Sequence, residues 1–138
     1  MKRSKEWKAY STKETYSMDE LPFWFLEWHV ENGYPFDLDG ETVYPSQNLQ
    51  LFVKYQDSLT CPECGLVPSF WALQSSGNRP YHLNLWGYDV QGNQRLFTKD
   101  HVVPRSKGGP DELSNYQPMC MRCNGRLGDK TKQKQSQA

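Results

Sequence analysis

Thr98-Lys99-Asp100-His101-Val102-Val103-Pro104-Arg105-Ser106-Lys107-Gly108-Gly109-Pro110 runs from a strand-like pattern into a stretch that no regular element can hold. Upstream, Tyr81-His82-Leu83-Asn84-Leu85-Trp86 alternates in character and residues 87–93 are rich in turn formers. Arg95-Leu96-Phe97-Thr98-Lys99-Asp100 then reads as the return strand of a hairpin. Downstream, two prolines and the Gly108-Gly109 pair forbid a continuous helix or strand, which predicts a loop that Ser114-Asn115-Tyr116-Gln117 closes. The hairpin therefore delivers Asp100 and His101 to a strand end. Asp offers a hard oxygen ligand suited to magnesium, and neutral imidazole is a base whose ordinary pKa of about 6.5 suits neutral pH.

Two cysteine pairs flank this hairpin and loop, Cys61-Pro62-Glu63-Cys64-Gly65 and Cys120-Met121-Arg122-Cys123-Asn124, with 55 residues between them. Two thiolates close in sequence grip one ion while a following glycine permits the tight turn. In a chain without secretory features a metal is a stronger reading than a disulfide framework. We expect one structural zinc on Cys61, Cys64, Cys120 and Cys123, closed to substrate and contributing folding free energy. The second pair should open a short helix through Asn124 and Leu127 that ends near Gly128.

Residues 98–109, Ser114-Asn115-Tyr116-Gln117 and Cys120-Met121-Arg122-Cys123-Asn124 together resemble the HNH endonucleases. The likeness is to the zinc-stapled phage and bacterial type whose third motif residue is Asn, and Tyr81–Trp86 is similar to that subgroup as well. It covers roughly residues 61–130. The resemblance implies an α+β chain with a ββα-metal (His-Me finger) nuclease fold, stapled by the four-cysteine zinc site. It implies His101 as general base, Asp100 and Asn124 as ligands of a catalytic Mg2+ or Mn2+, and Asn115 as a catalytic-loop residue whose backbone hydrogen bonds hold His101 in line. Double-stranded DNA would be the substrate, with 5′-phosphate and 3′-hydroxyl products. Asn124 stands where the archetype has His, and its neutral oxygen favours magnesium over transition metals. Arg105, Lys107, Arg122, Arg126 and Lys130 surround the motif as candidate phosphate contacts. His82 is expected to be a hydrogen-bonded structural histidine.

The rest of the chain speaks through composition. Hydrophobic residues make up 36% and charged residues 23% of 138, a globular balance with one core. No run is long and apolar enough to cross a bilayer, which points to no membrane partner and a cytoplasmic location; the resemblance implies that the cell is a bacterium or a phage-infected host. The net charge is zero but uneven: residues 1–13 carry five Lys/Arg against one acid, residues 14–63 carry Lys54 against ten acids, and the remainder carries ten Lys/Arg against five acids. A basic face on the C-terminal half suits phosphate. Ser17 and Glu20 read as a capping box for an amphipathic helix ending near Gly33, with Trp24, Phe25 and Trp28 on a core face. Residues 49–55 fit a strand or a short helix.

The expected organisation is an N-terminal extension over 1–57 with an acidic aromatic helix, a nuclease domain over 58–131 and a flexible tail over 132–138. The extension would face away from a bound duplex and meet a second copy or a phage or host protein. The rival function is a non-catalytic zinc-ribbon module that binds nucleic acid or protein, which leaves Asp100, His101, Asn115 and Asn124 without a role.

Overall fold

The computed structural model describes residues 3–132, so all of the expected tail except Lys132 lies outside the described residues. The chain runs α1 (Lys5–Lys8), β1 (Ser11–Ser17), α2 (Phe23–Asn32), β2 (Phe36–Leu38), β3 (Glu41–Val43), α3 (Gln47–Lys54), β4 (Pro68–Ser75), β5 (His82–Tyr88), β6 (Gln94–His101), β7 (Tyr116–Cys120) and α4 (Met121–Leu127). This is a mixed α and β architecture. Five strands form one sheet in the order β1-β4-β5-β6-β7, every neighbour antiparallel, and β2 and β3 form a separate small hairpin.

The β5–β6 hairpin turns through Asp89, whose carboxylate accepts the backbone N–H groups of Gln91 and Asn93 and the Arg95 guanidinium. Backbone hydrogen bonds hold that carboxyl down to about 2. β6 then pairs with β7 in the register Phe97↔Cys120, Thr98↔Met119, Asp100↔Gln117 and His101↔Tyr116. The helix α4 follows β7 directly and packs on both strands.

The ambiguous segment at residues 49–55 is a helix, α3. Ser46 decides it: its hydroxyl accepts the N–H of Leu49, and its carbonyl accepts the N–H of Gln50. Leu49, Leu51, Phe52, Val53 and Tyr55 are buried in the same cluster as Met119, Cys120 and Cys123, so residues on both sides of position 57 share one core. β1 also joins the sheet, pairing with β4 from Ser11↔Ser75 to Ser17↔Phe70.

The N-terminal helix departs from expectation in two ways. Ser17 and Glu20 do exchange reciprocal hydrogen bonds, but they close the turn after β1, and α2 starts only at Phe23, after Pro22. The face that α2 buries is set by Leu26 at 0% exposure, with Phe23, Phe25 and Val30 packed partly against the core. Trp24 and Trp28 are not core residues: they are 71% and 50% exposed. Helical spacing put the two tryptophans on one face, and that face is the outer one. No helix among the described residues is long and apolar enough to cross a membrane.

Candidate functional site

The four cysteines come together. Their sulfurs all lie within 4.8 Å of one another, with Cys64 Sγ 3.7 Å from Cys120 Sγ. A tetrahedral ion with metal–sulfur bonds near 2.3 Å needs sulfurs about 3.8 Å apart, so the donor set fits zinc with shifts of no more than about 1 Å. Local geometry explains the convergence. The first pair turns through Gly65 at φ +80°, closed by Gly65 N–H to the Cys61 carbonyl and Cys61 N–H to the Leu66 carbonyl. The second pair straddles the β7–α4 junction, Cys120 as the helix N-cap and Cys123 in the first turn. A hydrogen bond with Cys120 holds the Cys61 thiol well below its ordinary value, and the same pairing, together with burial, pushes Cys120 up.

At the far end of β6, Asp100 is fully buried and His101 is partly open. Strand alternation separates them. Asp100 faces its cross-strand partner Gln117, whose amide lies 3.4 Å from Oδ2. Thr98, two residues earlier on that face, accepts the amide N–H of Asn124 at 3.2 Å, so α4 brings Asn124 to Asp100's side of the strand. With its nitrogen committed to Thr98, Asn124 has its amide oxygen left for a cation. Asp100 Oδ1 is buried without an aligned hydrogen-bond donor, and the Lys132 ammonium, itself only 6% exposed, sits 2.9 Å from it as an ion pair. Burial raises the Asp100 carboxyl above its ordinary value, against the pull of Lys132. A buried carboxylate oxygen whose positive partner is a lysine from beyond α4, on the same side of the strand as a neutral amide oxygen, is a donor set that fits a hard divalent ion in the lysine's place.

His101 points to the other face, its ring edge-on to Tyr116 at 4.8 Å and 82°. Its Nε2 lies 2.7 Å from Asp111 Oδ1, which also accepts Arg105 Nε at 2.8 Å. Asn115 holds the loop rather than touching the imidazole. Its side chain accepts the N–H of Val103 and donates to the carbonyls of Val103 and Pro110, each at 3.0 Å, and its backbone carbonyl accepts the N–H of Val102. The glycine pair has a steric reason too: a Cβ on Gly109 would stand 1.7 Å from the Val103 carbonyl oxygen.

The basic residues divide into two groups. Arg122 and Arg126 line a cleft of about 540 Å³ beside the cysteines, facing Asp89 at 3.8 Å and Glu63 at 3.6 Å. Arg105 and Lys107 sit in the 3-10 turn after Pro104 on the His101 side, and Lys130 is exposed beyond α4. His82 opens β5 near the Pro80 carbonyl and is not among the metal-clustered side chains. Two residues of this site had no signal in the sequence. Asp111 and Lys132 are single polar residues in irregular segments, and only the folded chain brings them to His101 and Asp100.

No curated protein and no solved structure matches the chain. Residues 90–138, which carry β6, the loop, β7 and α4, match the family described as HNH endonuclease, a likeness that covers this C-terminal segment of the chain and suggests nuclease activity in general.

Proposed function

We propose that the chain is a metal-dependent endonuclease that hydrolyses phosphodiester bonds of double-stranded DNA, with His101 as general base. The observation that carries this reading is the placement of His101 at the end of β6. Its imidazole is 19% exposed and follows directly on Asp100, a buried carboxylate whose Oδ1 has no aligned hydrogen-bond donor. In the proposed step a water attacks phosphorus and gives its proton to His101. The bond to the 3′ oxygen breaks, that oxygen leaves with the electron pair and takes a proton from solvent water, and the products carry a 5′-phosphate and a 3′-hydroxyl. Asp100 and Asn124 would hold a magnesium or manganese ion, which supplies charge neutralisation at the phosphoryl oxygens and help for the leaving oxygen. Arg105, Lys107 and Lys130 are the basic residues on hand to meet flanking phosphates, while Arg122 and Arg126 would serve a longer footprint. Zinc on the four cysteines would hold α4 and β7 against the first cysteine pair. In this reading β6, β7 and α4 act as the ββα-metal unit, and the acidic segment 14–63 stays away from the duplex.

Incubating the full chain with supercoiled plasmid tests this. Nicking that requires magnesium, stops with chelator and falls roughly a hundredfold to ten-thousandfold in His101→Ala is the expected result. Duplex binding without magnesium-dependent cutting, with His101→Ala indistinguishable from the parent, would favour a zinc-stapled binding module instead.

A further inference from the structure

A histidine acting as a base must present one unprotonated nitrogen to water, and an isolated imidazole divides its proton between two. The geometry points to Asp111 as the positioning residue that fixes the tautomer of His101, accepting the proton on Nε2 so that Nδ1 carries the basic lone pair. This inference rests on the reading of His101 as the general base. Asp111 Oδ1 is 2.7 Å from Nε2, a charge-assisted distance, and an ionised carboxylate has no proton to donate. Among the described residues Nδ1 has no hydrogen-bond partner, so the nitrogen left unprotonated is also the one left open. The edge-on ring of Tyr116 opposes rotation of the imidazole out of this arrangement.

The loop is built to put Asp111 there. Asn115 binds the carbonyl of Pro110, the residue before Asp111, and ties it to both backbone groups of Val103 on the other limb. Arg105 donates to the same carboxylate oxygen, and the bonds from His101 and Arg105 hold the Asp111 carboxyl below its ordinary value, so it stays an acceptor. Chain connectivity thus runs from Asn115 through Pro110 to Asp111 and then to His101. An exposed ion pair by itself contributes little. A carboxylate on the surface that should receive phosphate also opposes binding, so Asp111 has opposite expected effects on binding and on the chemical step.

Those opposite signs give the test. Wild type, Asp111→Asn, Asp111→Glu and His101→Ala, each as the full zinc-loaded chain, are compared on a short DNA duplex for kcat, KM and duplex affinity. The His101 ring nitrogens are followed by 15N NMR at pH 8.5, where an ordinary imidazole is neutral. For Asp111→Asn we expect kcat to fall about 10–100-fold, as for other partners that orient a functional histidine. Duplex affinity should stay equal or tighten, the magnesium requirement should not change, and the Nε2–H signature should become a tautomer mixture. Asp111→Glu should recover part of kcat. A kcat within twofold of wild type while His101→Ala is inactive would overturn the role of Asp111 and leave the base assignment standing. Weaker duplex binding, or a shifted magnesium requirement, would overturn it by making Asp111 a substrate or ion contact. Full cutting by His101→Ala would instead remove the base assignment, and an unchanged NMR signature in Asp111→Asn would overturn the tautomer argument whatever the activity.

Discussion

The two ends of the β6–β7–α4 unit solve opposite problems with the same three elements. At the cysteine end four soft sulfurs from two distant stretches converge within 4.8 Å, and one tetrahedral ion would satisfy all of them. At the other end a hard carboxylate is buried at 0% exposure with an ammonium beside it, and an imidazole stays partly open against a loop carboxylate. The first site saturates itself, which makes it a staple. The second is held by groups outside the strand and helix, a loop acid and a lysine beyond α4, so it can exchange partners. On the proposed reading, stability and chemistry are thereby separated along one strand pair.

If that separation is right, the largest effect of any single change belongs to the cysteine end. Cys120→Ser removes a buried ligand at the β7–α4 junction, and structural zinc contributes on the order of 10–16 kcal/mol to folding in small zinc-dependent peptides. Whole domains have only about 5–15 kcal/mol in hand. The variant is expected to lose bound zinc, measured by elemental analysis, and to melt β7 and α4, measured by amide exchange. Full retention of thermal stability with no zinc bound would show that the apolar cluster of Met119, Leu127 and Tyr116 holds this end without the metal.

The next effect belongs to the exchangeable end. Lys132→Met leaves the Asp100 carboxylate buried and without its cationic partner, an arrangement that costs about 3–5 kcal/mol in buried pairs that lose one member. Because a divalent ion on Asp100 would stand in for the lost ammonium, adding magnesium should restore part of the loss, and it should stabilise this variant more than the wild type. Chemical denaturation with and without magnesium checks this. Equal destabilisation in both conditions would mean that Asp100 does not meet the ion.

Legibility in the sequence follows the same physical divide. The cysteines were readable because reach fixes the spacing of paired thiolates that share an ion, whereas Asp100, His101 and Asn124 stood out only through the likeness of their order to a known family. Asp111 and Lys132 escaped because one polar residue in an irregular segment obeys no spacing rule. β1 escaped for a different reason. Ser11-Thr12-Lys13-Glu14-Thr15-Tyr16-Ser17 has no apolar alternation, since it is an edge strand exposed along most of its length. At α2 the pattern was real and its direction was not, because periodicity groups residues on a face without saying which face meets the core. Asn115 was expected to hydrogen-bond loop backbone, and it does so, but its partners Val103 and Pro110 could not be named before the fold placed them.

The smallest effect should come from the aromatic side chains that α2 turns outward. Trp24 and Trp28 are 71% and 50% exposed, while Leu26 on the opposite face is fully buried among core residues. Leu26→Ala deletes buried methyl groups and leaves a cavity, a change that costs about 2–5 kcal/mol. Trp24→Ala or Trp28→Ala removes surface that water already reaches, so each should cost under about 1 kcal/mol despite the larger residue. Trp28 has more to lose of the two, since its ring meets His29 at 4.9 Å and Tyr34 at 5.7 Å. Denaturant unfolding of the three variants at two protein concentrations gives the comparison. A tryptophan variant as costly as Leu26→Ala only at the higher concentration would mean that a second copy covers this face. Equal cost at both concentrations would mean that α2 packs in solution with its tryptophans inward, and the assignment of Leu26 as its buried residue would have to be reversed.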